Sequence, residues 1–430
     1  MLRILDLRGT TDLTSLLPRA GSRDVEPVEA VRDILSAVRT GGDDAVRLFT
    51  SRFDGVDLGE LQVTAAECDA ALDRIPSALR DALVAAHVSV TRYHQAQLHP
   101  PVDFTEAGIR LRSSAVGVAR AGCYIPGGKA PLASSVIMTA SIAKVAGVGR
   151  VVICTPPDRV TGMPTDAILA AAAIAGVDEV YRVGGAQAIA ALAYGTESIA
   201  PVDVLVGPGN VYVSVAKRLV AGEGLVGVPS SFAGPSEVVV IADASVPARF
   251  AALDVVLQAE HGPDGAAWLI TWDEDVARAV NAEIAAITKA SPRRADLEAN
   301  FSQRGYVALV DGPSQAAAVS NHIAPEHLEL LVEDPESLLL LIRNAGAIFT
   351  GAWSPASLGD YIAGPSHVLP TSGTARFASA LTVSDFQKHM HVISATEPGL
   401  RAVGHHVIAL AEAEGLPAHA DSIKDRLASS

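Results

Sequence analysis

Glu179-Val-Tyr-Arg-Val-Gly-Gly-Ala-Gln187-Ala-Ile-Ala-Ala-Leu-Ala-Tyr194 decides the fold class of this chain. A short β-rich run stops at a glycine pair and passes directly into an apolar helical pattern, which reads as a strand feeding a helix. Working outward, strands read at Ala115–Ala119, Val151–Cys154, Glu179–Val183 and Val202–Val206, with helical patterns at Leu132–Val148 and Asp166–Ala175 between them. Such alternation implies a parallel, doubly wound sheet. A second series follows. Its strands read at Glu237–Ile241, Ala267–Trp272, Tyr306–Val310, Leu328–Val332 and Ala347–Thr350, and its helices near Pro247–Glu260, Glu274–Lys289, Ser314–His322 and Pro335–Arg343. The first hundred residues are mainly helical by pattern (Val28–Thr40, Ala65–Ile75, Ser77–Gln95), and the pattern beyond about Leu381 is helical again. The fold class is therefore α/β: two doubly wound Rossmann-like domains with a small helical C-terminal extension.

Composition supports this and excludes other classes. With 430 residues, 49% hydrophobic, the chain exceeds one ordinary core. The balance of 33 Lys and Arg against 48 Asp and Glu, a formal charge of −15, argues against a nucleic-acid partner. Met1-Leu-Arg-Ile-Leu-Asp lacks the pattern of a signal peptide, and the longest uncharged apolar stretch, Ala167 to Val177, is too short to cross a bilayer; a cytoplasmic protein is expected. Cys68, Cys123 and Cys154 are odd in number and widely spaced, so a bound transition metal would take nitrogen and oxygen ligands.

Three glycine-containing turns, Tyr124-Ile-Pro-Gly-Gly-Lys, Val183-Gly-Gly-Ala-Gln187 and Val206-Gly-Pro-Gly-Asn210, follow strands and open helices. Each alone is explained by a tight turn. Three at the carboxyl edge of one sheet favour a dinucleotide site of irregular motif.

Gln258-Ala-Glu-His261 ends a helix, and the i, i+3 spacing puts Gln258 and His261 on one face, where they suit a shared metal. A helix terminus whose His offsets the dipole explains the pair equally well. In Ala324-Pro-Glu326-His327, Pro325 favours an extended Ala324 and sets an acid and an imidazole side by side; strand geometry would separate them unless the turn is irregular. Asp360 and His367 come from a Gly/Pro-rich stretch, and Glu414 and His419 from another near the end, donor types that fit zinc or manganese but also turn capping. His389-Met-His391 and His405-His406 fall in helical patterns where such neighbours diverge, and are read as structural.

In their order, Gly127-Gly-Lys-Ala-Pro-Leu, Val183-Gly-Gly-Ala-Gln, Val206-Gly-Pro-Gly-Asn, Ala233-Gly-Pro-Ser-Glu, Gln258-Ala-Glu-His-Gly, Ala324-Pro-Glu-His-Leu-Glu-Leu and Gly364-Pro-Ser-His-Val-Leu-Pro closely resemble histidinol dehydrogenase. One local departure is Pro229-Ser-Ser-Phe232. The resemblance implies oxidation of L-histidinol to L-histidine by two NAD-dependent hydride transfers in a homodimer with shared active sites. It implies one zinc per subunit on Gln258, His261, Asp360 and His419, and Glu326 and His327 as the catalytic pair. Substrate contacts would be Ser236, His327, His367, Glu414 and the zinc ligands; NAD contacts would be Tyr124, Gln187 and Asn210. The expected domains are an N-terminal segment 1–21, a catalytic α/β domain 22–123 plus 234–380, an NAD-binding domain 124–233, and a helical segment 381–430 reaching the partner subunit. A family relative oxidising another small alcohol, such as a sulfonated diol, is the alternative, and His367 and Glu414 argue against it. A zinc hydrolase needs no strand-end glycine turns, and a nucleotide-binding module needs no Glu326 and His327.

Overall fold

The computed structural model describes residues 2–18, 26–127, 131–229, 236–260, 262 and 265–429. Along the chain the strands are β1 (Arg3–Asp6), β2 (Gln62–Val63), β3 (Asp103–Glu106), β4 (Ile109–Gly117), β5 (Arg120–Tyr124), β6 (Arg150–Cys154) and β7 (Glu179–Tyr181). They continue with β8 (Val204–Val206), β9 (Glu237–Ala242), β10 (Ala266–Thr271), β11 (Gly305–Leu309), β12 (His327–Leu331), β13 (Ala347–Thr350) and β14 (Gln387–Ala395). The helices begin with α1 (Leu13–Leu16), α2 (Val28–Asp54), α3 (Ala65–Arg74), α4 (Ser77–Gln95), α5 (Ala133–Val145), α6 (Asp166–Ile174), α7 (Gly185–Tyr194) and α8 (Val211–Gly222). The rest are α9 (Ala248–Ala259), α10 (Glu274–Ala290), α11 (Arg294–Arg304), α12 (Pro313–Ile323), α13 (Pro335–Leu339), α14 (Ala356–Tyr361), α15 (Glu397–Ala413) and α16 (Pro417–Ala428).

Residues 1–97 and 118–386 make one compact unit and residues 98–117 and 387–430 another. The larger unit holds two sheets. The first runs β2-β7-β6-β5-β8, parallel except for β2. The second runs β1-β11-β10-β9-β12-β13, parallel throughout. In each, the chain winds outward on one side of the starting strand (β5 or β9), then crosses to the other, the doubly wound order expected from the strand and helix alternation. Helices cover both faces, so β9, β11 and β12 are buried along their whole length, as parallel strands between two apolar layers must be. The smaller unit is an antiparallel sheet, β14-β4-β3, with the helical pair α15 and α16.

Several expectations are corrected. The strand read at Ala115–Ala119 is the end of β4 in the small sheet; the first Rossmann-like strand is β5, whose glycine and small residues weaken its β signal. Helices α2, α3 and α4 pack on helices of the first sheet, so residues 28–95 go with that sheet rather than with residues 234–380. Residues 3–6 form an edge strand of the second sheet and not a separate segment. The C-terminal stretch includes β14, placing His389 and His391 on a strand, where both are exposed. Helix α2 runs past Thr40 but bends at Gly42, whose φ of +53° suits glycine; a Cβ there would strike the Glu197 carboxylate, which instead accepts from the Asp43 amide at 2.8 Å. None of the described helices is long and apolar enough to cross a membrane.

Candidate active site

At the carboxyl edge of the first sheet, the ends of β5, β7 and β8 bring Tyr124, Gln187 and Asn210 to the same rim. The Tyr124 hydroxyl accepts from the Gly185 amide at 3.1 Å, and burial pushes that phenol well up from its ordinary value. Gln187 is buried at the first turn of α7, and neither amide atom finds a hydrogen-bond partner among the described residues. Such an orphaned amide is costly unless a polar ligand completes it. Asn210 caps α8 through Oδ1, accepting from Tyr212 and Val213 at 3.0 and 3.1 Å. Between them Gly207 has φ +108°, and a Cβ there would lie 2.1 Å from the Tyr124 carbonyl, so only glycine permits this approach. The fully buried Lys217 amine holds the turn, donating to the Gly207 carbonyl at 2.8 Å.

The second cluster sits at the amino ends of β9 and β12, the edge opposite to the one where open α/β sheets usually bind ligands. Ala324 caps α12 in the left-handed region (φ +52°), not in the extended form expected before Pro325. That irregular turn lets neighbouring side chains converge instead of alternating. Glu326 Oε2 accepts from the Glu237 amide at 2.8 Å and lies 3.4 Å from His327 Nδ1. His327 Nδ1 in turn faces the Glu237 carbonyl at 3.1 Å, and Nε2 lies 3.3 Å from Asp360 Oδ1. One peptide unit pair, either side of Glu237 Cα, thus grips both Glu326 and His327.

With an acceptor facing each nitrogen, the ring is arranged to carry two protons. Burial works to lower its proton affinity, but Glu326 and Asp360 more than offset that and hold His327 well above the ordinary histidine value. A neutral imidazole, which base chemistry requires, therefore depends on what engages both Glu326 and Asp360.

Asp360 is the hub. It stands on α14 rather than in the expected loop. Gln258 Nε2, at the end of α9, donates to Oδ2 at 3.2 Å, leaving Gln258 Oε1 as a donor atom for another group. The Asp360 carbonyl faces His367 Nδ1 at 2.9 Å, and His367 Nε2 meets the Ser135 hydroxyl of α5 at 3.0 Å, which ties the first half to the second. Burial lowers the His367 proton affinity, keeping that ring neutral. A cavity of about 290 Å³ lined by His327, Phe349, Asp360, Ser366 and His367 lies beside this cluster, a volume for a small molecule.

Ser236 immediately precedes β9, partly buried. Glu414, which caps the end of α15, and His419, in the first turn of α16, belong to the smaller unit, and both are exposed. His261 lies outside the described residues, as do 128–130 and 230–235, which include most of the Pro229–Phe232 departure. Cys123 is buried and its thiol pushed up to about 12, as expected of an inert thiol.

Sequence reasoning missed three buried acids. Glu237 opens β9, accepts from the Ser372 amide at 3.0 Å, and is raised to about 8 by burial and then by Glu326. Asp254 and Glu329 hydrogen-bond to each other beneath the cluster. The available signal was an acidic residue inside an otherwise apolar strand, as in Glu237-Val-Val-Val and His327-Leu-Glu-Leu-Leu, because an acid buried between two sheet faces needs a defined partner.

Residues 17–427 match the family model described as histidinol dehydrogenase. The chain is 46% identical over 424 residues to "Histidinol dehydrogenase" of Gluconobacter oxydans, covering 97% of this chain and 96% of that protein. It is 48% identical over 400 residues to the protein of the same name from a Synechococcus strain, covering 92% and 91%. Its fold superposes on the crystal structure of histidinol dehydrogenase from Elizabethkingia anophelis with a TM-score of 0.94 at 33% identity, covering 100% of this chain and 98% of that one.

Proposed function

The chain belongs to the histidinol dehydrogenase family, and from that membership we propose that it oxidises L-histidinol through L-histidinal to L-histidine, with two NAD+ as hydride acceptors. This is NAD-dependent oxidoreductase chemistry, and it would form the last step of histidine biosynthesis. The observation that carries the reading is the convergence of Glu326, His327, Asp360, Gln258 and His367 beside one small cavity.

The residues fit both implied groups. The orphaned Gln187 amide, with Tyr124 and the Gly207–Asn210 turn, supports a dinucleotide along the first sheet's rim. Gln258 and Asp360 supply adjoining oxygen donors for zinc. Among the described residues no three His, Cys, Asp or Glu side chains gather closely enough to hold an ion, so His261 and His419 would complete the set, His419 from the partner subunit. Bound there, the ion would anchor substrate nitrogens and occupy the Asp360 carboxylate.

The chain's own groups account for the protons. His327, once released from Asp360, takes the hydroxyl proton through Nε2 while the Glu237 carbonyl fixes the Nδ1–H tautomer. Nicotinamide supplies the hydride acceptor when bound. The aldehyde must add water before a second hydride leaves; Glu326 takes a proton from that water, and His327 again takes the hydroxyl proton. His367 and Glu414 would recognise the imidazole and amino groups, with Ser236 beside them. Mixing the protein with histidinol and NAD+ should produce two NADH per histidine formed. No NADH with histidinol, but turnover of a sulfonated diol, would transfer the assignment to the alternative substrate.

A further inference from the structure

We propose that Asp254 and Glu329 form a proton-sharing carboxylic pair that positions Gln258, His327 and Asp360 together. The inference rests on the zinc and substrate roles given above to Gln258 and Asp360. Each acid is coupled to a site residue by the period of its own element. Glu329 lies two residues beyond His327 on β12, on the same face of the strand. Asp254 lies one turn before Gln258 on α9, on the same side of the helix. The third link runs through α14: the Ala356 amide, one turn before Asp360, donates to Glu329 Oε1 at 3.1 Å.

Both acids are buried, Glu329 to 0% exposure and Asp254 to 7%. Glu329 Oε2 finds no N–H or hydroxyl donor among the described residues, yet the two side chains are hydrogen-bonded to each other. Ionised carboxylates only accept, so the contact requires one proton held between them. Burial, which raises the proton affinity of both acids, favours that shared proton. Two apolar side chains would fill the same space without the desolvation cost. They would not cap α14, nor tie the rotation of α9 to the register of β12. The acids therefore act as positioning residues, through Gln258, His327 and Asp360.

Purified full-length wild type is compared with Glu329→Gln, Glu329→Met and the double variant Asp254→Leu/Glu329→Met. The readouts are Zn²⁺ affinity, by competition with a chromophoric chelator, KM for histidinol, and melting temperature. The glutamine amide can donate to Asp254 and accept from Ala356, so Glu329→Gln should hold zinc within about threefold of wild type. Glu329→Met should lose about 10–100-fold, the usual effect of removing a group that orients a ligand. The double variant separates positioning from packing: its melting temperature should match or exceed that of wild type while zinc binding stays weak. Wild-type zinc affinity in either methionine variant, or a glutamine variant as weak as Glu329→Met, overturns the proposal. Should the methionine variants fail to fold, the milder Asp254→Ala decides, with about tenfold weaker zinc binding expected and wild-type affinity again overturning it. A wild-type protein that binds no zinc would instead overturn the metal reading itself, and this inference with it.

Discussion

Replacing Lys217 by Met should make the protein more stable at neutral pH and abolish much of the stability loss that wild type suffers on going from mildly alkaline to neutral conditions. Lys217 is fully buried on α8, and burial lowers its amine from 10.5 to about 7. Above pH 10.5 the group is neutral in both folded and unfolded chains. As pH falls, the unfolded chain takes up a proton that the folded chain refuses, so stability declines down to about pH 7 and no further. The whole span is worth about 5 kcal/mol, of which about 2 kcal/mol falls between pH 9 and 7. Against this, Lys217→Met orphans the buried Gly207 carbonyl, a cost of about 1–3 kcal/mol, leaving a net gain at pH 7 of about 1–3 kcal/mol. Thermal melts of wild type and variant at pH 9 and pH 7 test this. The wild type should lose about 2–3 °C more than the variant over that interval. Groups common to both proteins, Glu237 among them, cancel in the comparison. Parallel losses in the two proteins would refute the reasoning, because Lys217 would then be charged in the fold. Loosening the Gly207–Asn210 turn should also raise the KM for NAD+ severalfold.

Three further outcomes are expected. Chelation should abolish histidinol oxidation and Zn²⁺ or Mn²⁺ should restore it, with metal content falling in Asp360→Ala but not in His405→Asn, as metal analysis would show. Glu326→Gln should retain oxidation of histidinol to the aldehyde but slow that of histidinal by about 10²–10⁴-fold, whereas His327→Asn should slow both; equal losses in Glu326→Gln would remove the division of labour. Mixing inactive His261→Asn and His419→Asn under subunit exchange should return about half of wild-type activity per heterodimer, since one shared site collects both lesions and the other neither. No recovery in heterodimers proven by mass spectrometry would place His419 in its own subunit's site.

Strand and helix alternation made both Rossmann-like halves legible, because parallel strands buried on two faces leave apolar runs such as Glu237–Ala242 with turns on either side. Boundaries were lost where that logic lapses. β5 (Arg-Ala-Gly-Cys-Tyr) carries few β-formers, and β14 alternates too weakly to be separated from the helix that follows it. At the site, the family resemblance pointed to Gln258, Asp360 and His367, which one hydrogen-bonded cluster joins, but the convergence of Glu326 on His327 depends on the left-handed Ala324, a backbone state no neighbouring residue type announces. Buried acids escaped notice for the converse reason. Their partners, Ser372, Ala356 and each other, come from distant parts of the chain.

The grip on Glu326 and His327 has an evolutionary consequence. Because the Glu237 amide holds Glu326 and the Glu237 carbonyl holds His327, the alignment is written in atoms that almost every amino acid possesses. Substitution at position 237 can alter local charge or the tie to Ser372, yet only proline deletes the amide that Glu326 needs. The most demanding geometry of the site is thereby sheltered from most codon changes at the residue that supplies it, and drift at this position would first alter how the pair is charged rather than where it points.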